Sequence, residues 1–404
     1  MALQMPFGSE FFANLFSPLQ PVHMDAVSTC LQGHSAVLGA LPAAYANLSA
    51  VRINNHLAVI PGDWQSGPIT SSFYDIVPEE PCVVDVLEQT KAADFIAFDD
   101  AFFDVLGANA KLEKIQSFPS DLGHVHEAPV YLQETNELLY SDTSVTGHLY
   151  AINIDTHQVR QINLEPALQN VNGGTFHRGR VYLTTNGGSV RGIFELNVTT
   201  GRVEPIVNNY RGRHLNSPND VIVDSRGNLY FTDPTYGVDN GWADVQPAEL
   251  PMAVYRLEAK TKSLKALTIG VVTKPNGLAL SPDESVLYVA DSNSSSNALD
   301  SQRGVWAFDN RHTGPLENPR PVHLVEGGWP DGLRTTKKGL LFAAIYGGVD
   351  VVDPQSGLLL GRINTPGDII YNLEPARGKG QWLLTGRDFI YKATITEEPV
   401  KRRT

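Results

Sequence analysis

One phrase is written three times in this chain, as SPNDVIVDSRGNLYFTDP (217–234), KPNGLALSPDESVLYVADS (274–292) and WPDGLRTTKKGLLFAAIYG (329–347). Each copy passes from a proline to Asn or Asp, then through small or apolar residues and a polar turn. A second apolar run follows, ending near an acid or a glycine. Self-similarity at a spacing of roughly 40–55 residues signals a propeller or a similar array, built from small sheets that bury their faces only against their neighbours.

The chain after residue 120 continues in the same style. APVYL, ELLYSD, HLYAINID, GRVYLTTN, RGIFELNV, NLYFTD, AVYRLEA, VLYVAD, GVWAFD, GLLFAAIY, VDVVD, QWLLTG and FIYKATI are short, β-branched or aromatic, and bounded by Gly, Asn, Asp or Pro. Units begin near Glu127, Asn172, Asn219, Asn276 and Asp331. A sixth covers roughly 367–395 and requires N-terminal strands from about 51–118 to close the ring, which would remove open sheet edges. The expected fold is all-β: a six-bladed β-propeller over 51–395, after an N-terminal extension (1–50) containing short helices and before a tail at 396–404. Helical spacing occurs only before residue 120, in SEFFANLF and PAAYANLSAV, with a further turn around DDAFFDVLG.

Composition narrows the partners. The 404 residues are 42 % hydrophobic and 19 % charged, enough for a core, and 35 Gly and 26 Pro serve the many turns. A net charge of −13 argues against nucleic acid or an anionic membrane, and suits a cation or small-molecule binder as well as plain solubility. No run of 18 apolar residues is present, so no membrane span is expected. Cys30 and Cys82 allow one disulfide or two buried thiols. The N-terminus lacks a basic start and an unbroken apolar stretch, while Asn47, Asn197 and Asn293 lie in glycosylation sequons, so secreted and cytoplasmic locations both stay open. Oligomeric state is not legible.

In a ring of repeats, equivalent residues meet at one mouth of the central channel. Alignment puts Glu127, Asn219, Asn276 and Asp331 at matching places, all with side-chain oxygen and none with sulfur. Two carboxylates and two amides form a donor set for a hard cation such as Ca²⁺, or another divalent ion, with water or substrate completing the shell. The same PND, PNG and PDG triplets also form ordinary turns, because Asn and Asp tolerate left-handed backbone. A turn does not require a carboxylate before a run as apolar as APVYL, and three triplets in register favour the ligand reading.

The motifs HEAPVY, VNGGTFHRGRVYLTTNG, NSPNDVIVDSRGNLYFTDPTYG, PNGLALSPDESVLYVADS and PDGLRTTKKGLLFAAIYGGVDVVDP, taken in order over roughly 95–395, resemble the senescence-marker-protein/gluconolactonase (regucalcin-like) family. FIAFDDAFFDVLG and the NGGTF stretch are most similar to its fungal lactonohydrolases of the D-pantolactone type. The resemblance implies a six-bladed propeller with one divalent cation, usually Ca²⁺, at the channel mouth. It also implies Glu127, Asn276 and Asp331 as ligands, Asn219 as ligand or substrate-facing amide, and Asp331 doubling as general base.

The chemistry expected of such a site is metal-assisted opening of a small or medium lactone, the cation polarising the carbonyl and stabilising the oxyanion. A carboxylate bound to a dication is a weak base, which makes a histidine relay attractive. His126 is the leading candidate, with His177 in the next repeat and His124 and His214 also near tip motifs. Asn172, Asp220, Tyr236, Trp329 and Tyr346 lie at or beside the tips as candidate substrate contacts, with Trp242 a further aromatic there. No Gly-x-Ser-x-Gly elbow and no nucleotide-binding glycine pattern occurs. Two other readings stand beside the lactonase. One is a same-scaffold enzyme of fungal specialised metabolism performing cyclisation or cycloaddition, for instance of hetero-Diels–Alder type; the other is a non-enzymatic ligand-binding propeller.

Overall fold

A computed structural model describes residues 38–53, 64–65, 67–78, 81–242, 247–293 and 302–400. The described residues are mostly β, and their strands fall into four separate four-stranded sheets, one nine-stranded sheet and two small two-stranded sheets. Six strands lead these groups along the chain: β1 (His126–Leu132), β2 (Val171–His177), β3 (Val221–Val223), β4 (Pro275–Leu280), β5 (Leu333–Thr335) and β6 (Leu358–Pro375). β1 to β4 each open a meander of four antiparallel strands in sequence order. β1 packs against β2, β2 against β3, β3 against β4, β4 against β5, β5 against β6, and β6 returns to β1.

Period-two alternation explains why these segments become strands buried on both faces. In NLYFTD, Leu229 and Phe231 pack with Val221 and Tyr255 on one side. Tyr230 points the other way, onto Leu278, Leu287 and Val289 of the following sheet. The core is therefore a series of apolar seams between sheets, with Tyr131, Leu138 and Tyr140 of the first group meeting Leu383 and Ile390 of the last.

The nine-stranded sheet turns on β6. The first part of β6 pairs with Leu341–Asp353 on one side and Phe95–Ala97 on the other. Its second part pairs with Gln381–Gly386, which continues through Phe389–Thr394 to Lys111–Ser117. Ala50–Ile53 runs parallel to Phe95–Ala97 and carries Leu38–Gly39 on its other edge. Residues on both sides of the division expected at residue 50 are thus strands of one sheet.

Several local expectations are corrected. GLLFAAIY and VDVVD form one continuous strand, Leu341–Asp353, bent at a register shift between Tyr346 and Gly348. PAAYANLSAV gives only a 3-10 turn, Ala43–Tyr45, before Ala50–Ile53 extends. The turn at DDAFFDVLG is helix α2 (Ala101–Leu106). Before it lies helix α1 (Pro81–Ala92), which sequence reasoning missed. Its signals were present: proline at the first helical position, and Val83, Val86, Leu87 and Thr90 buried on one stripe. SEFFANLF and Cys30 lie outside the described residues, as does the side chain of Cys82, so the disulfide question falls there too.

Candidate active site

Six residues stand at equivalent places by pairing: Glu127, Asn172 and Asn276 at the start of β1, β2 and β4, Asn219 and Asp331 just before β3 and β5, and Tyr371 where the second part of β6 begins. In β1, β2, β4 and β6 the ladder shifts at this residue, between Glu127 and Val130, Val171 and Gly174, Pro275 and Leu278, and Ile370 and Asn372. Such bulges re-aim a side chain and gather beside functional sites. Tyr371 completes the ring and was missed, because an Ile-Tyr pair stands there in place of the Pro-Asn or Pro-Asp that marks three of the other tips.

The glycines of NGG, PNG and PDG serve close approach rather than a left-handed turn. Gly173, Gly277 and Gly332 all have ordinary φ. A Cβ on Gly277 would run into the Asp331 carbonyl, one on Gly332 into the Asn372 amide, and one on Gly173 into the Asn219 carbonyl. Each next-to-tip position therefore presses on the neighbouring strand. Where it carries a polar side chain, that side chain becomes a bridge. Asp220 accepts the Leu278 N–H at 2.9 Å, and Asn372 donates to Glu127 Oε2 at 3.0 Å, joining β6 to β1. The equivalent Ala128 holds φ at 51°, a conformation that costs a non-glycine residue about 1–2 kcal/mol.

At the centre stand two buried acids. Glu127 and Asp331 are neighbours, 3 % and 5 % exposed, each carboxyl bearing on the other, and Asp220 adds its charge to both. Burial, then the adjacent Asp331, pushes the Glu127 carboxyl well above its ordinary range. Burial likewise raises Asp331 to about 8, with Asp220 adding to the shift, although the Trp329 indole and the Glu127 and Asn276 side chains pull it back. No basic side chain is among the groups that bear most on either acid. Asn219 Oδ1 and Asp331 Oδ1 are buried without a hydrogen-bond partner. Acids held apart from basic groups, beside unsatisfied oxygens, form a donor set suited to a hard divalent cation.

The remaining expected residues divide. Trp329 and Tyr236 both stand beside Asp331, the indole favouring its ionised form and the phenol lying close enough to feel its charge, so both wall the acids. Burial first, then Asp331, pushes the Tyr236 and Tyr371 hydroxyls up, keeping them neutral donors. Tyr346 is half-buried two residues beyond Ala344, whose carbonyl accepts the Asp331 N–H. Asn172 and Asp220, expected to face substrate, are engaged by the protein instead. Asn172 Oδ1 accepts from Asn186 and its amide approaches the Asn219 carbonyl at 3.5 Å. Both Asp220 oxygens accept backbone N–H groups, of Val221 and Leu278.

The histidine relay is not assembled at the acids. His177 ends β2, five residues from Asn172, which in a strand is about 17 Å away. His214 is exposed and pairs with Glu249 at 3.0 Å. His126 is fully buried under Phe118, with ring centroids 3.8 Å apart, and its Nδ1–H donates to the Gly386 carbonyl at 2.6 Å. Burial pushes this imidazole down to about 4, so it is neutral near pH 7 and a weak base. Strand alternation turns it away from Glu127.

The acids that end the repeated phrase are also explained. Asp233 accepts the N–H groups of Asn216 and Ser217, and Asp291 those of Thr273 and Lys274. They clamp the segment leading into the tip of their own repeat, Asn219 or Asn276, rather than joining the central cluster.

The chain matches the family described as SMP-30/Gluconolactonase/LRE-like region over residues 125–373, and it belongs to that family. It is 30 % identical over 316 residues to lactonohydrolase oryL of Aspergillus oryzae, covering 71 % of this chain and 70 % of that protein. A gluconolactonase of Zymomonas mobilis is 31 % identical over 274 residues, 61 % of this chain and 71 % of that one. Among solved structures, a gluconolactonase from Xanthomonas campestris superposes with a TM-score of 0.63 at 28 % identity, covering 74 % of this chain and 93 % of its own. A calcium-binding regucalcin from Agrobacterium tumefaciens shares the fold alone, with a TM-score of 0.56 at 14 % identity over 73 % of this chain and 98 % of its own. Among the described residues no helix is long and apolar enough to cross a membrane.

Proposed function

We propose that the chain is a lactone hydrolase working at the mouth of a six-bladed propeller, with a divalent cation, Ca²⁺ by its donor set, held by Glu127, Asn219, Asn276 and Asp331. The blade count rests on the closed contact circuit of β1 to β6, in which β5 with the first part of β6 and the second part of β6 serve as separate blades. Strands from the N-terminal segment extend those two blades outward, Phe95–Ala97 followed by Ala50–Ile53 and Leu38–Gly39 on one and Lys111–Ser117 on the other.

The observation that carries the reading is the pair of buried acids, Glu127 and Asp331, with Asp220 beside them and unpartnered oxygens on Asn219 and Asp331. A bound cation would supply Lewis acidity toward a carbonyl oxygen and stabilise the charge that develops on it. The rest of the chemistry is assigned to the chain. Asp331, oriented by Trp329 and Asn276, is the group placed to take a proton from the attacking water. Tyr236 and Tyr371 are neutral hydroxyls beside it that can donate to substrate oxygens. Asn372 holds Glu127, and Asn172 holds the Asn219 backbone, so both position the donors. The lactonohydrolase and gluconolactonase relatives support ring opening as the reaction.

The test is a panel of small and medium lactones assayed with and without chelator. Ring opening that chelation abolishes and Ca²⁺ restores supports the reading. No turnover on any lactone from fully metal-loaded protein would overturn it.

A further inference from the structure

We propose that His124, His126 and Asp142 form a second metal site, one for a zinc-class transition ion, separate from the oxygen cluster at the axis. Their ligand atoms lie within 4.8 Å of one another and all three residues are buried. His124 is 7 % exposed and His126 is fully enclosed, yet both His124 ring nitrogens and His126 Nε2 lack a hydrogen-bond partner. His126 Nδ1–H donates to the Gly386 carbonyl, which leaves the lone pair on Nε2. A backbone carbonyl on the far nitrogen is the usual way a metal-binding imidazole is oriented.

The acid supplies a second argument. Asp142 occupies the place in its repeat that Asp233 and Asp291 occupy in theirs, and each of those accepts two N–H groups from the preceding loop. Among the described residues, the Asp142 carboxylate accepts only the Val145 N–H, at 3.4 Å. Its Oδ1 faces His124 Nδ1 at 3.2 Å, out of hydrogen-bond alignment. Two ligands about 2.0–2.1 Å from a tetrahedral zinc ion stand about 3.3 Å apart, so the spacing suits a shared ion. This repeat has given up the common clamp and set two imidazoles against the acid it released.

Two nitrogens and one carboxylate suit zinc and its neighbours, and do not suit Ca²⁺, which takes six to eight oxygens. Three protein ligands leave a fourth position for water or another small donor. The site is also separate in space. His126 stacks under Phe118 beside Tyr140 in the seam between the first and last groups, while Glu127 faces the axis. An ion there would tie the loop before β1 to the strand Glu137–Asp142, next to the closure of the ring.

The experiment uses the full chain, stripped of metal and titrated with Zn²⁺ in the presence of millimolar Ca²⁺. The expected result is one zinc per chain and a rise in melting temperature on loading. His124→Gln and Asp142→Asn should each weaken zinc by more than about 100-fold, the upper end seen even for outer-sphere changes. Glu127→Gln should leave zinc binding unchanged, which separates this site from the proposed lactonase centre. Equal zinc affinity in wild type and both site variants, or no zinc bound, overturns the proposal. Should the variants fail to fold, X-ray absorption of the zinc-loaded wild type decides, since a shell without imidazole scattering is equally fatal.

Discussion

In the proposed site the chemistry turns on Glu127 and Asp331, and their raised protonation would give a bound cation a distinctive pH signature. Asp331, at about 8 in the fold against an ordinary 3.8, carries a proton in the folded chain that the unfolded chain has released between those values. Without cation, the folded chain binds more protons across that window, so this group's contribution to stability is lost as pH rises toward 8. Cation binding must displace the proton, so apparent Ca²⁺ affinity should rise from pH 6 to pH 8 and then level. Calorimetry in buffers of different ionisation enthalpy would show the released proton, and pH-independent affinity would contradict the assignment. Asp331→Asn should lower kcat/KM by more than about 100-fold, the scale of a lost acid–base group, with circular dichroism unchanged. His177→Gln should leave kcat/KM within about twofold, since a surface-scale change of that size matches a residue some 17 Å from the tips.

At the scale of the element, the leading strands are set by what they must touch. Gly277→Ala would drive a methyl into the Asp331 backbone and should cost about 1–3 kcal/mol, the usual range for overpacking. Chemical denaturation would read that loss, and a larger fractional loss of Ca²⁺ affinity should accompany it because Asp331 is the atom group displaced. The buried Arg362, bonded to Asp350 at 2.7 Å and to Glu326 at 2.7 Å, ties β6 to the strand Leu341–Asp353 and to the loop that carries Glu326. Burial raises Asp350, but the Arg362 guanidinium and His323 outweigh it and hold the carboxyl at about 2. Its stabilisation is present above the ordinary 3.8 and is lost as pH falls toward 2. Asp350→Asn should cost about 3–5 kcal/mol, as breaking one partner of a buried pair does.

At the scale of the whole molecule, the ring and its closure explain why so much was legible in sequence. Glu127, Asn219, Asn276 and Asp331 could be aligned because each precedes an apolar strand that must sit at a fixed height against its neighbours. The functions of the glycines could not be read, because whether a PNG triplet turns or packs depends on what lies across the seam. Tyr371 was invisible for want of a polar signature, and α1 was overlooked amid a strand-rich pattern despite its apolar stripe. His126 misled because adjacency in sequence to Glu127 becomes opposition in a strand. Closure also makes a prediction: Ile115→Asp, at the outer strand of the last group, buries a charge in the seam with the first. Melting temperature should fall and aggregation should rise with protein concentration as an edge strand frees itself.

The most direct measurement combines metal content and turnover in one sample. Chelator-stripped protein should bind one Ca²⁺ per chain and regain lactone opening in proportion to the ion bound, while the Glu127→Gln/Asp331→Asn double variant does neither. Full turnover in the stripped protein, or undiminished Ca²⁺ binding in the double variant, would contradict the account.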